Sequence, residues 1–206
     1  MSLAPRNYTL EYPYTRTVGP VVGKFLTGVR DGRLFGIRCR GKVLCPPIEF
    51  DPESGETLVL DFVEVGPGGV VQSWSWIAEP TRKHPFQRPF AFALIQLDGA
   101  DTAMVHAVAA SGPEVMARGL RVRAQYRKER TSAITDVYFA PEAEAADTFA
   151  PAKGQGDVTI TDHLISLVYE EPLNAARERY AQGLLAGRFI GQKSPKTGKV
   201  FAGRWR

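Results

Sequence analysis

The sequence predicts a mainly β protein with a few helices, of the α+β class. Three observations lead there. Short runs of alternating apolar and polar residues fill the middle of the chain. Helical spacing is confined to stretches near the two ends. A motif also recurs 155 residues apart: GRLFGIRC at Gly32 to Cys39 is echoed by GRFIGQKS at Gly187 to Ser194. At that spacing Tyr14 meets Tyr169, Phe25 meets Tyr180 and Gly28 meets Gly183. GKVLC at Gly41 to Cys45 matches GKVFA at Gly198 to Ala202 after 157 residues, so the first copy lacks two residues between Cys39 and Gly41. Repeats of this kind share a fold.

Each copy follows one plan. An aromatic segment (YTLEYPYT, then LISLVYEEP) leads into a helix-like stretch. In the second copy Pro172 suits the first helical position, and Leu173, Ala176, Tyr180 and Leu184 recur at helical spacing. Gly187 suits the stop, with Arg188 at the negative end of the helix. A strand, a tight turn and a returning strand follow (RLFGIRC and KVLCPP; RFIGQKS and KVFAGRW), the shape of a zinc-ribbon knuckle.

The middle reads as β. Thr57 to Glu64 is expected as a strand, GPGG at Gly66 to Gly69 as a turn, and Val70 to Ala78 as a half-buried strand. EPTRKHPFQRP is a loop. Phe90 to Asp98 and Thr102 to Ala110 are strands, Ser111 to Gly119 a short helix, and Leu120 to Glu129 and Ile134 to Pro141 the closing strands. Five or six strands with one intervening helix suit a Greek-key barrel of the OB type. The expected organisation is helix and degenerate ribbon over 1–60, barrel over 61–141, an acidic, Gly/Pro-bearing linker over 142–157, and helix with partial ribbon over 158–206.

Composition bounds the function. The 206 residues are 44% hydrophobic and 23% charged, ordinary globular values that exclude a disordered chain. No apolar run approaches the ~18 residues of a membrane helix, and MSLAPRNYTL lacks a signal pattern, so a cytoplasmic protein without membrane association is expected. A net charge of +4 favours anionic partners only weakly. Cys39 and Cys45 alone cannot complete a four-cysteine site.

The stretches FLTGVRDGRLFGIRCRGKVLCPP, VVQSWSWIAEP, FAFALIQLDGADTAMVHAVA and ARGLRVRAQY together carry a family resemblance. Val21 to Pro141, with a degenerate second start from Pro172, resembles the bacterial and archaeal zinc-ribbon and OB-fold, acyl-CoA-associated proteins, long catalogued as a domain of unknown function. The resemblance implies an N-terminal helical hairpin, a ribbon, then the barrel. It implies a non-catalytic partner of a thiolase-like or aldolase-like acyl-CoA enzyme in a hetero-oligomer, with acyl-CoA near the barrel. The family's ribbon has two cysteine pairs. Here Cys39 matches the first position and the second is deleted, while Asp51 and Ser54 of DPESG stand at the third and fourth. In the second copy Ser194 and Thr197 occupy the first pair's positions. Cys39 with Asp51 is not a structural zinc set, so zinc is not expected and no cofactor is expected to bind tightly. The turn is expected to be held by Asp51 or Ser54 accepting backbone N–H groups, with Cys45 a small buried hydrophobe.

No acid, base or nucleophile constellation is visible, so no catalytic residue is expected. His84, His106 and His163 are the only histidines; His106 reads as a structural residue inside a strand. Arg82, Lys83 and Arg88 around His84 could form a cationic lip for CoA phosphates. Trp74 and Trp76 share one strand face, as barrel core or as a partner-covered surface, with stacking of an adenine or a nucleic-acid base as the functional alternative. Phe90 and Phe92 share another and are expected to fill the barrel. Arg121, Arg123, Gln125 and Arg127 make a basic strand face, which a nucleic-acid-binding barrel would also show; the acidic linker and modest charge speak against nucleic acid. A half ribbon cannot bury its own face, so the cationic end with Phe201 and Trp205, together with Phe35 of the first ribbon, is expected to dock on a partner. A homodimer, a nucleic-acid-binding module and a stand-alone acyl-CoA-binding or hydratase-like protein remain the alternatives.

Overall fold

The computed structural model describes residues 6–146, 156–171 and 174–202. In chain order the elements are β1 (Arg6–Thr17), α1 (Gly19–Asp31), β2 (Leu34–Cys39), β3 (Lys42–Leu44), β4 (Phe62–Val65), β5 (Gly68–Ile77), β6 (Phe90–Leu97), β7 (Ala103–Val108), β8 (Arg121–Tyr126), β9 (Val137–Pro141), β10 (Ile160–Glu171), α2 (Ala175–Leu185), β11 (Gly191–Lys193) and β12 (Val200–Ala202). The protein is mainly β with two helices and a closed five-stranded barrel. The chain divides into two compact units, Thr15–Thr161 and Met1–Tyr14 with Asp162–Arg206.

The barrel closes in the order β5-β6-β7-β9-β8, antiparallel except for the parallel contact of β7 with β9. Full closure removes the sheet edges. A bulge between Val71 and Ser73 resets the side-chain phase of β5. Val71 therefore points inward on one side of it, while Trp74 and Trp76 point inward on the other, opposite Ala93 and Ala91. The small alanines leave room for the indoles. Gly68 and Gly69 are strand, not turn, because the chain runs tight here: a Cβ on Gly68 would meet Asp98 Oδ2 at 2.5 Å and one on Gly69 would meet the Gln96 carbonyl at 2.8 Å.

α1 opens with Pro20 in its first turn and ends at Gly32, whose φ of 79° is left-handed. From its buried face Phe25, Leu26 and Val29 contribute to one core with Leu34 and Val43 of the ribbon and Val71, Ile95 and Leu97 of the barrel. β3-β2-β4 form a three-stranded sheet.

The second copy repeats these contacts. Arg33 N–H donates to the Gly28 carbonyl, and Arg188 N–H to the Gly183 carbonyl, both at 2.8 Å. A Cβ on Gly28 would strike Phe35, and one on Gly183 would strike Ile190, its counterpart. Gly36 lies against Val43 as Gly191 lies against Val200. The packing of helix end on hairpin thus recurs in both copies.

Several expectations are corrected. No helical hairpin precedes the ribbon: residues 6–17 alternate with period 2 and pair as β1 with β10, leaving one helix. Of Thr57 to Glu64, only the end becomes strand; β4 pairs with β2 rather than joining the barrel, and Thr57 bridges Phe50. Ser111 to Gly119 holds only a single 3-10 turn, Pro113–Val115, too short to gain helical cooperativity. α2 is capped by Asn174, whose side chain accepts the Arg177 N–H at 2.9 Å; Pro172 and Leu173 lie outside the described residues. Phe90 and Phe92 do not fill the barrel. Ala91, Ala93, Ile95 and Leu97 take the inward positions of β6, and His84 and Phe86 of the preceding loop cover Phe90 from outside.

Candidate functional site

The two knuckles show how the ribbons hold their shape. In the first, Asp51 N–H donates to the Glu56 carbonyl and Gly55 N–H to the Asp51 carbonyl, both at 2.8 Å. Asp51 Oδ1 accepts N–H groups from Glu53 (2.8 Å) and Ser54 (3.2 Å), and Ser54 Oγ accepts from Glu56. In the second, Ser194 N–H donates to the Lys199 carbonyl (2.8 Å), Gly198 N–H to the Ser194 carbonyl (2.9 Å), and Thr197 N–H to Ser194 Oγ (3.3 Å). DPESGE and SPKTGK therefore adopt one hydrogen-bond pattern, with a side-chain oxygen taking the amides at its head. Arg40 Nε adds a 2.6 Å bond to Asp51 Oδ2, and its Nη1 reaches Glu53 at 2.6 Å. Arg40, helped by the Glu53 N–H, lowers the Asp51 carboxyl to about 2.

Burial, with the Asp51 charge second, raises the Cys39 thiol, which disfavours the thiolate that a metal would need. Cys45 is a buried small hydrophobe, its thiol pushed up to about 12 by burial. Among the described residues no group of three or more His, Cys, Asp or Glu could hold a metal ion.

The barrel's polar groups are largely committed to structure. His106 lies inside, its ring edge against Phe139; Nδ1 accepts the Ala107 N–H (2.9 Å), which leaves the proton on Nε2 facing the Ile134 carbonyl (3.2 Å). Burial lowers its pKa, keeping the ring neutral. On β8, Arg121 makes paired 2.7 Å bonds to Asp98 and Gln125 is buried; just beyond it, Arg127 donates to the Thr135 and Pro85 carbonyls. Of the expected basic face, only Arg123 stands exposed without such a bond among the described residues. Arg82, Lys83 and Arg88 are exposed on a loop tied down by the Thr81 N–H to His84 Nδ1 (2.8 Å) and by Gln87 to the Thr81 carbonyl (3.3 Å).

The expected docking residues are placed differently from one another. Trp74 and Trp76 are half-buried against the barrel core. Phe35 is covered by its own chain: the ring packs on Gly28, with the Lys24 ammonium 4.7 Å and the Arg33 guanidinium 5.0 Å from its centre, so it is not an exposed anchor. Phe201 is exposed, and Trp205 lies outside the described residues.

Sequence reading missed the extent of exposed apolar surface. From Asp162 to Ala202, Gly183 is the only buried residue among those described. Counterparts in the two copies diverge sharply: Val29 is 0% exposed and Leu184 46%, Leu34 1% and Phe189 84%, Val43 7% and Val200 64%. The β1–β10 ribbon adds Tyr8, Leu10, Tyr12 and Tyr14, all exposed, with the Tyr8 ring tilted against Tyr169, centres 5.2 Å apart. Their period-2 spacing was the signal for that face.

Residues 62–127 match the family model for the C-terminal OB-fold domain of ChsH2. The match spans β4 to β8 and the start of the turn beyond, so it takes in four of the five barrel strands and leaves out β9. No curated protein matches this chain. Among solved structures, a chain titled "Ltp2-ChsH2(DUF35) aldolase" is 20% identical with a TM-score of 0.46, covering 61% of this chain and 98% of its own. A protein of unknown function from the DUF35 family of Sulfolobus solfataricus is 16% identical with a TM-score of 0.46, covering 61% of this chain and 87% of its own. Among the described residues, no helix is long and apolar enough to cross a membrane.

Proposed function

We propose that this chain is a non-catalytic accessory subunit that binds a thiolase-like or aldolase-like acyl-CoA enzyme and helps to shape its substrate site. One observation carries the reading: the second copy leaves uncovered the positions that the first copy buries. Exposed apolar surface on this scale marks an interaction site. The match of residues 62–127 to an OB-fold domain supports a barrel that serves as a scaffold in this role. The groups with shifted pKa also support a structural role, since Asp51, Glu64 and Asp98 are each tied to an arginine and His106 to two backbone groups. Arg82, Lys83 and Arg88, exposed on the loop between β5 and β6, would supply cations for CoA phosphates at the shared interface.

Co-expression with the enzymes encoded beside this chain, followed by pull-down and mass measurement, tests the reading. A defined hetero-oligomer, weakened by Phe201→Ala, is the expected result. Acyl-CoA turnover by the isolated chain, or a chain that forms no complex with any of these enzymes, would overturn it.

A further inference from the structure

The first ribbon shows what the second one lacks. β2 has β3 on one side and β4 on the other, with Leu34 opposite Val65, Phe35 opposite Glu64 and Gly36 opposite Val63. Arg38 N–H extends the ladder to the Asp61 carbonyl at 2.9 Å. The third strand also brings acids to the arginines of the hairpin: Arg33 pairs with Glu64 and Arg38 with Asp61 (3.4 Å).

In the second copy, β11 pairs only with β12 among the described residues. Phe189 and Ile190, the counterparts of Leu34 and Phe35, fall outside any strand, because no strand faces them. Arg188 and Lys193, the counterparts of Arg33 and Arg38, form no ion pair among the described residues. From Arg179 to Ala202 the chain carries five cations (Arg179, Arg188, Lys193, Lys196, Lys199) and no acid. An open edge with unpaired N–H and C=O groups is a template for another strand, and this one is cationic.

We infer that the free edge of β11 is completed by an extended, acidic strand of a partner polypeptide. That strand runs antiparallel, with one carboxylate beside Arg188 and one beside Lys193. An apolar residue just beyond the carboxylate beside Arg188, in the place Val65 takes opposite Leu34, covers Phe189. The chain's own Asp61 to Val65, DFVEV, is the pattern such a strand follows. This rests on the accessory-subunit reading in requiring a partner, and it adds the chemistry of the partner's contact.

The probe is a fluorescent peptide of residues 57–66, TLVLDFVEVG, titrated with the full chain. Binding should weaken at least tenfold with the R188E/K193E chain, at exposed positions whose change leaves the circular dichroism intact. A peptide carrying Asp61→Lys and Glu64→Lys should reverse that preference. A Val63→Pro peptide, unable to complete the ladder, should not bind. Absence of binding by the wild-type chain, equal binding by R188E/K193E, or equal binding of the proline peptide would each overturn the inference. If the enzyme complex forms while the peptide fails, only this inference falls. If the peptide binds and no enzyme complex forms, the inference stands and the enzyme-partner reading falls.

Discussion

Truncating the same repeat position in each copy separates folding from docking. Leu34 is 1% exposed and part of the common core, whereas its counterpart Phe189 is 84% exposed. Leu34→Ala deletes buried methyl groups and leaves a cavity, costing about 3 kcal/mol of stability. Full burial of a phenylalanine is worth roughly 1.5–3 kcal/mol, but only a small part of Phe189 is covered, so Phe189→Ala should cost the free chain roughly 0.4 kcal/mol. Within a docked complex the same ring would be covered. Its loss should then weaken binding by about 2 kcal/mol, roughly thirtyfold in Kd. The assay is urea unfolding of the full chain, with amide hydrogen exchange at β2 and β11 to report on each unit separately. A loss above about 1 kcal/mol for Phe189→Ala in the free chain would mean that the face is already buried, and the docking argument would be refuted.

Two further tests address the scaffold. Gly28→Ala places a Cβ 2.6 Å from the buried Phe35 ring and 2.8 Å from the Arg33 carbonyl, so overpacking should outweigh the helix-propensity gain and destabilise by about 1–2 kcal/mol. Gly183→Ala meets only the partly exposed Ile190 and the Arg188 carbonyl at 3.0 Å, and should be near neutral; equal losses in thermal unfolding would contradict the packing difference. The buried His106 has a pKa below its ordinary 6.5, so the unfolded chain takes up a proton that the folded chain refuses. Stability should therefore fall as the pH drops below 6.5, by up to roughly 1.4 kcal/mol per unit, and this slope should vanish in His106→Gln. Asp51 acts in a lower window: its stabilisation is complete above 3.8 and is lost as the pH falls towards about 2. An unchanged slope near pH 6 in the His106 variant would reject the first assignment, and pH-independent exchange of the Glu53 and Ser54 amides between pH 4 and 2 would reject the second.

Much of the site was legible because its signals are local. The knuckles could be read from Asp51, Ser54, Ser194 and Thr197, since an oxygen side chain taking amides a few residues on needs only short-range geometry. Phe90 and Phe92 misled because a shared strand face does not say which face is the core; the β5 bulge and the covering loop decided that. Phe35 misled in the opposite sense, since only the folded chain shows Gly28, Lys24 and Arg33 closing over it.

By itself, the order of residues determined the α+β class, most of the barrel strands and the two-copy repeat, because periodicity and glycine placement are properties of neighbouring residues. Tertiary structure alone decided that β4 completes the first ribbon, that β1 finds β10, and that among the described residues β11 pairs only with β12. Strand pairing and burial join residues far apart in the chain. Identical local patterns can therefore end in a sealed core in one place and in an open surface in the other.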